Sequence, residues 1–396
     1  MNQRFYSLDV FRGATVALMI LVNNPGSWSH IYPPLEHAPW HGCTPTDLVF
    51  PFFLFAVGNA LAFVMPKLEV AGEQVFWKKI IKRTFLIFFI GLMLNWFPFI
   101  KWENDQIVFK SWQYIDAAGN PAGIRILGVL QRIALAYFFA SVIIHFLKIR
   151  GAFVAACFIL LSYWFLCVAA NPADPYSLQG WFGANIDKLI LHEAHMYHGE
   201  VVNGKAIPFD PEGLMSLFAA IVQVIFGYFA GDYILKKGKT HEMVNGLFVA
   251  GCVLVVAGLC WHMIFPINKK IWTSSYTIYT TGLALLTLSV FIYIIEFKGW
   301  RGWWSRFFDV FGKNPLFIFM LSGTLPRLFA LIRIHNGSTP QGEPIFITPF
   351  GWFYEHICKP VSSNLNKGSL LYAISMILMY WLIVWWMDKK KIYVKV

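Results

Sequence analysis

The residues best suited to chemistry gather in the first long polar stretch. Leu35-Glu36-His37-Ala38-Pro39-Trp40-His41-Gly42 follows His30 and precedes Thr46-Asp47-Leu48-Val49-Phe50-Pro51. An imidazole titrates near neutral pH, so a histidine in such a loop can take a proton from an amine. For any one of the three histidines, bonding to loop backbone is the plainer reading. Asp47 either caps the helix that follows or, from its depth in the apolar run, faces a site. Asn23 and Asn24 close the preceding apolar run; each is a usual helix terminator, and an amide there could equally polarise a carbonyl.

Other charged or polar residues lie where burial is costly. In Leu8-Asp9-Val10-Phe11-Arg12-Gly13 the acid and base are three apart, share a helix face and can pair. They read either as an anion site, with Arg12 meeting phosphates, or as a structural ion pair. Gln131 and Arg132 sit inside an apolar run, where an arginine is by default a functional candidate. Lys313-Asn314-Pro315 reads as a phosphate contact or as a helix start. Leu191-His192-Glu193-Ala194-His195-Met196-Tyr197-His198 resembles a zinc motif, but the second histidine comes one residue too early for H-E-x-x-H. No carboxylate or cysteine set completes a site with His195 and His198, so a structural or sugar-contacting loop is preferred and no metal is expected. In Phe209-Asp210-Pro211-Glu212-Gly213, Asp210 reads as an N-cap with Pro211 at the first helical position, and either carboxylate could also hold an amine or a sugar hydroxyl. Lys269 and Lys270 open a later helix on the cation-poor side, as site residues or as snorkelling anchors.

The elements that must position these residues are membrane helices. Apolar residues make up 57% of the 396-residue chain and charged residues only 13%, against roughly a half and a quarter in soluble domains. Runs of about twenty residues cross a hydrocarbon core of about 30 Å. About ten spans are expected, at 8–23, 46–65, 79–97, 124–147, 151–170, 212–235, 244–265, 274–296, 313–333 and 368–387, within one domain covering 1–396. The fold class is an all-α polytopic bundle. The stretch 345–358, interrupted by Pro349, reads as re-entrant or interfacial. The short polar start MNQRFYS does not open like a cleaved signal peptide, so the first span is expected to remain.

Charge orients the bundle. Arg4, Lys67, Lys78, Lys79, Lys82, Arg83, Lys148, Arg150, Lys236, Lys237, Lys239, Lys298, Arg301, Arg306, Lys313 and Lys389–Lys391 fall on one side, whereas residues 24–45 carry no lysine or arginine. The positive-inside rule then puts both termini in the cytosol, with structured extracytoplasmic loops opposite. The net charge of +11 belongs to this asymmetry and not to a nucleic-acid face. Cys157, Cys167, Cys252 and Cys260 read as packing residues. Cys43 and Cys358 fall on the same side, where a disulfide is geometrically open.

The ordered set LDVFRG at 8–13, EHAPWHG and TDLVFPFFLF across 36–55, GVLQRIALAYF at 128–138, HMYH at 195–198, FDPEG at 209–213 and INKKIWTSSY at 267–276 resembles the heparan-α-glucosaminide N-acetyltransferase family. Weaker similarity continues through GKNPLFIF at 312–319. The resemblance implies acetyl-CoA as co-substrate, entering from the cytosol, and an amino-sugar or glycan acceptor across the lipid bilayer. It implies that His37 is the catalytic histidine and that Asn23 matches the family asparagine, although a longer 24–36 loop leaves Asn24 open. The animal enzymes have an N-terminal lumenal domain that is not expected here, and they make a homodimer reasonable. The compact form looks bacterial, which implies the inner membrane. Arg12, Asp9, Arg132, Gln131, Lys313 and Asn314 are the candidates for contacting the CoA. Trp40, Asp47, His195, Asp210, Glu212 and Lys269 are the candidates for the acceptor. The competing classes are a sugar or small-molecule transporter, for which no paired interrupted helices are found, and an O-acyltransferase of a surface polysaccharide.

Overall fold

A computed structural model of the chain describes residues 5–103, 106–116, 119–202, 204–339 and 344–394; Arg4 lies outside them. The helices are α1 (Tyr6–Asn23), α2 (Val49–Ala71, entered through a 3-10 turn at Pro45–Leu48), α3 (Glu73–Trp96), α4 (Val129–Ala170), α5 (Gly183–Leu191), α6 (Leu217–Lys237), α7 (His241–His262), α8 (Ser274–Ile292), α9 (Trp303–Lys313), α10 (Pro315–Phe329), α11 (Pro349–Phe353) and α12 (Leu365–Lys389). Local chemistry sets many boundaries. Thr240, Thr273 and Asn364 side chains cap the first turns of α7, α8 and α12. Pro315 opens α10, and Gly72, at φ 91°, turns α2 into α3.

Seven helical segments among the described residues are long and apolar enough to cross a membrane. The expected figure of ten meets three adjustments. At about 1.5 Å per residue, the 42 residues of α4 would run about 63 Å, twice a bilayer core. The run is broken at Lys148 (φ 55°), where two helices join end to end between the expected fourth and fifth spans. Helix α3 carries Lys78, Lys79, Lys82 and Arg83, and α10 has only 15 residues.

Three expected boundaries move. Residues 124–128 are extended and α4 begins at Val129. Asp210 does not cap a helix: Asp210–Gly213 forms its own turn and α6 begins at Leu217, because the two carboxylates are drawn to Arg125 as described below. Lys313 ends α9 and does not start the next helix. Cys43 and Cys358 are free thiols, so the disulfide is not formed.

The main helix pairs are α2 with α6, α7 with α8, α1 with α9, and α4 with α3 and α6. Small residues set the closest approaches: a Cβ on Gly58 would lie 1.9 Å from Val224 O, and one on Gly227 2.1 Å from Phe55 O. Gly227 and Gly231 form a small-xxx-small seam, which lets backbones touch where lipid supplies no hydrophobic drive between helices.

The two ends of the bundle differ. At one end Ser7 N bonds Glu296, which also holds Lys239 and Arg301. Lys148 pairs with Glu69, and Lys313 with Asp309 and Asp388. Both described chain ends lie here, among the cations. Among the described residues, the opposite end carries the long loops and four antiparallel strand pairs, Ile100–Glu103 with Gln106–Phe109, Gln113–Ile115 with Pro121–Gly123, Glu200–Val202 with Lys205–Ile207, and Ile334–Ser338 with Pro344–Ile347.

Candidate active site

The site is assembled by two loops at the loop-rich end. The 24–48 segment ends in a capping box in which Asp47 Oδ2 accepts from Thr44 N (3.0 Å), Thr44 Oγ1 (3.1 Å) and Ala38 N (3.1 Å). These bonds fold the loop back so that Asp47 Oδ1 meets His37 Nδ1 at 2.6 Å. A buried carboxylate in that position fixes the tautomer with the proton on Nδ1, leaving Nε2 as the acceptor. The second loop, 263–273, is pinned against the first through Gly42 N to Ile267 O (2.8 Å) and Tyr276 Oη to Asp47 O (2.6 Å). It delivers Lys269, whose Nζ lies 3.1 and 3.4 Å from the two His37 ring nitrogens and 3.4 Å from Asp47 Oδ1. Burial pulls the Lys269 ammonium below its ordinary value, with Asp47 and then Glu212 opposing.

Asp47 is 1% exposed, whereas the His37 side chain keeps 43% of its surface accessible. Substrate can therefore reach the imidazole but not its carboxylate. Both face a cleft of about 270 Å³, whose other walls include Trp40, Tyr197, Trp272, Arg125 and Glu212. Lys270 pairs with Glu200 at 2.8 Å and stands over the Trp40 ring.

Arg125 forms the floor. Its Nε and Nη2 bond Asp210 at 3.0 and 2.5 Å, Nη2 also bonds Glu212, and its guanidinium lies 4.9 Å from the Tyr197 ring centroid. Burial opposes a charged guanidinium, but Glu212 and Asp210 raise it further above its already high value. Burial likewise opposes the Glu212 carboxylate, yet Arg125 and then Arg132 pull it below the usual range. The 210–216 turn is braced from behind by Arg132, which bonds Gly213 O (2.9 Å) and Ser216, and by Asp187, which accepts from Leu214 N (2.8 Å).

Two more cavities share lining residues in turn with this cleft. A middle one of about 370 Å³ is lined by Asn23, Asn24, Asn95, Gln131 and Arg327 and shares Arg125 with the cleft. A third, of about 350 Å³, shares Leu130 and Phe319 with the middle one and reaches Arg12 and Arg83 near the cation-rich end.

The expected residues thus separate. His37, Asp47, Trp40, Glu212 and Lys269 share the cleft. Asn23 and Gln131 face the middle cavity, and Arg12, with Asp9 at 3.4 Å, lies at the third. Asp210 and Arg132 stand behind the cleft. His195 is 5% exposed and donates Nδ1–H to Ile124 O at 2.7 Å, beside Arg125. Lys313 is paired with Asp309 and Asp388, and Asn314 holds the C-terminal segment through Ile392 O and Val394 N. Sequence reasoning missed Arg125. The available signal was a lone cation immediately before a span on the cation-poor side. Among the described residues no group of three His, Cys, Asp or Glu gathers around a metal position.

The fold and this site define a polytopic membrane protein with a histidine–carboxylate cleft at one end and further cavities within the bundle. Residues 4–189 match the family model described as heparan-alpha-glucosaminide N-acetyltransferase, catalytic. The human heparan-alpha-glucosaminide N-acetyltransferase is 26% identical over 80% of this chain and 52% of its own length. The mouse enzyme of the same name is 25% identical over 99% of this chain and 60% of its own length. The chain therefore spans little more than half the length of these relatives.

Proposed function

We propose that the protein is a transmembrane N-acetyltransferase, moving the acetyl group of cytosolic acetyl-CoA to the amine of a glucosamine-type sugar on the extracytoplasmic side. The observation that carries this reading is the run of three cavities joined by Leu130, Phe319 and Arg125. Arg12 and Arg83 suit CoA phosphates at the basic end, which the positive-inside rule makes cytosolic. The slender pantetheine arm suits the apolar passage, and its thioester would arrive near Asn23, Gln131 and Arg125. On this reading both termini are cytosolic, the whole of 1–396 is one acyltransferase domain, and the setting is a bacterial inner membrane. The homodimer implied by the animal relatives is part of the same proposal.

The chemistry favoured is direct transfer. His37 Nε2 takes a proton as the amine nitrogen attacks the acetyl carbon, and Asp47 stabilises the imidazolium without itself being protonated. The tetrahedral intermediate collapses, the carbon–sulfur bond breaks, and the proton passes from His37 to the departing thiolate. Asn23 is proposed to polarise the thioester carbonyl from the middle cavity. Trp40 and Tyr197 offer aromatic surface to a sugar ring, and Glu212 a hydroxyl acceptor.

The test uses sealed proteoliposomes with labelled acetyl-CoA on one face and glucosamine on the other. Labelled N-acetylglucosamine trapped opposite the CoA, and lost in His37→Ala, supports the reading. CoA-independent sugar uptake would make the protein a transporter. Product formed with an amine-blocked acceptor would make it an O-acyltransferase, and an isolable acetyl-histidine with ping-pong kinetics would replace direct transfer.

A further inference from the structure

The cleft that holds His37 and the cavity that holds Asn23 have one lining residue in common, Arg125. If the thioester comes through the middle cavity and the amine waits beside His37, as the proposed function requires, the acetyl carbon reacts where the two spaces meet. The charge that develops there sits on the carbonyl oxygen. Asn23 faces it only from the middle cavity, so a second donor that faces both spaces and is held in advance would complete the oxyanion site.

Arg125 meets these conditions. Its backbone is fixed residue by residue: Ile124 N bonds Trp112 O (2.9 Å), Arg125 O accepts from Asn95 Nδ2 (2.9 Å), and Ile126 N bonds His195 O (3.1 Å). His195 clamps the same strand from the other side through Ile124 O. The guanidinium is oriented by Asp210 and Glu212 through Nε and Nη2, and its Nη1 has no hydrogen-bond partner among the described residues. The other two cations of the cleft are engaged differently. Lys270 is paired with Glu200 at 2.8 Å, and Lys269 lies against His37 and Asp47. Asn23 is exposed and does not line the cleft.

We propose that Arg125 is a catalytic residue of this reaction, whose Nη1 donates to the thioester carbonyl oxygen and holds the oxyanion that forms when the amine adds. The electron pair of the C=O bond moves onto oxygen facing Nη1 and returns as the C–S bond breaks, and the amine proton goes to His37. Asp210, Glu212 and His195 then act as positioning residues for Arg125. This also gives a physical reason for two carboxylates on one guanidinium: they preorganise it and leave one edge unoccupied.

The first readout does not need the acceptor. The carbonyl stretch of [1-13C]acetyl-CoA bound to the full-length protein is measured by isotope-edited infrared spectroscopy. A shift to lower frequency than in solution is expected, lost in Arg125→Ala and partly restored by added guanidinium. The second readout is turnover: kcat should fall by roughly a hundredfold in Arg125→Ala, with acetyl-CoA affinity kept within about threefold and partial guanidinium rescue. Arg125→Lys, which keeps the charge between the carboxylates, covers the case in which the alanine variant does not fold. It should retain CoA binding but show the same loss of the infrared shift. An unshifted carbonyl in the wild type, or folded variants with undiminished kcat, would overturn the assignment. Activity and CoA binding lost in parallel would also overturn it, because the role would then be structural. A shifted carbonyl without transfer to any amino sugar would instead remove the acceptor reading and leave Arg125 in place.

Discussion

His37 and Asp47 lie ten positions apart in sequence, and their Nδ1 and Oδ1 atoms are 2.6 Å apart. Because Asp47 Oδ2 already accepts from three donors of the 38–44 segment, Oδ1 is the oxygen left to orient the imidazole. Asp47→Asn keeps the size of the side chain but offers an amide that cannot stabilise an imidazolium. It is expected to lower kcat by a hundredfold or more while acetyl-CoA still binds, measured by initial rates and CoA competition. A variant as active as the wild type would leave Asp47 as a helix cap alone.

Lys269 carries a prediction about pH. Its ammonium, lowered by burial, lies within 3.4 Å of the two His37 nitrogens and of Asp47. A second cation beside it is repelled, which favours entry of the acceptor as the free amine. As pH rises through its lowered value the ammonium beside His37 is lost, so the alkaline limb of the wild-type pH–rate profile should change at a lower pH than an ordinary lysine would allow. Lys269→Arg should move that limb to higher pH, because a guanidinium stays protonated. Lys269→Met should abolish the limb at a kcat roughly tenfold lower. A pH profile unchanged by both substitutions would disconnect Lys269 from the reaction.

The two sets of cations at the basic end should behave differently. Arg83 lines the cavity beside Arg12, with its guanidinium 4.8 Å from the Tyr137 ring centroid. Lys313 is taken up by Asp309 and Asp388. Arg83→Gln is expected to raise the KM for acetyl-CoA about tenfold, the worth of one charge-assisted hydrogen bond. It should also erase the preference for acetyl-CoA over its 3′-dephospho analogue. Lys313→Gln should leave KM unchanged and loosen the 388–394 segment. The reverse pattern would move the phosphate site to the α9–α10 junction.

What was legible in the sequence follows the range of the interactions. Each long apolar run became a helix because burying backbone in lipid requires internal hydrogen bonds, and the charge asymmetry separated the ends before any contact was known. His37 and Asp47 were legible as candidates because one loop holds both. Arg125 was not, and Asp210 and Glu212 were legible as candidates only without their partner, since the partnership spans more than eighty residues and Asp210-Pro211 taken alone has the local grammar of a helix start. Asn314 misled for a similar reason. Next to Pro315 it reads as a cap, and only the returning C-terminal segment shows why its amide is buried.

The α2–α6 seam gives a stability prediction. A Cβ at Gly58 would stand 1.9 Å from Val224 O, a backbone atom that cannot swing aside. Gly58→Ala must separate the helices, and overpacking of this kind costs about 1–3 kcal/mol. The melting temperature in detergent should fall by several degrees, whereas Gly302→Ala, where the nearest atom is 3.8 Å away in the flexible Trp304 side chain, should change it little. Equal melting temperatures for both variants would mean that α2 and α6 are farther apart than described.

Asp187 should make stability depend on pH. It is fully buried behind the Asp210 turn, accepts from Leu214 N, and has a second oxygen without a partner. Burial, with Asp210 adding to it, pushes its carboxyl up to about 7 from 3.8, the Leu214 bond and Arg132 opposing. A carboxyl raised on folding binds its proton more tightly in the native state. Its favourable contribution is therefore complete below the unfolded value and is lost as pH rises from about 4 through 7. At about 1.4 kcal/mol per unit, the loss amounts to a few kcal/mol. Asp187→Asn preserves the acceptor for Leu214 N and has no proton to lose. The variant should melt at a higher temperature than the wild type at pH 8 and at nearly the same temperature at pH 5. A constant difference between the two proteins at both pH values would mean that Asp187 ionises as freely in the folded protein as in the unfolded chain.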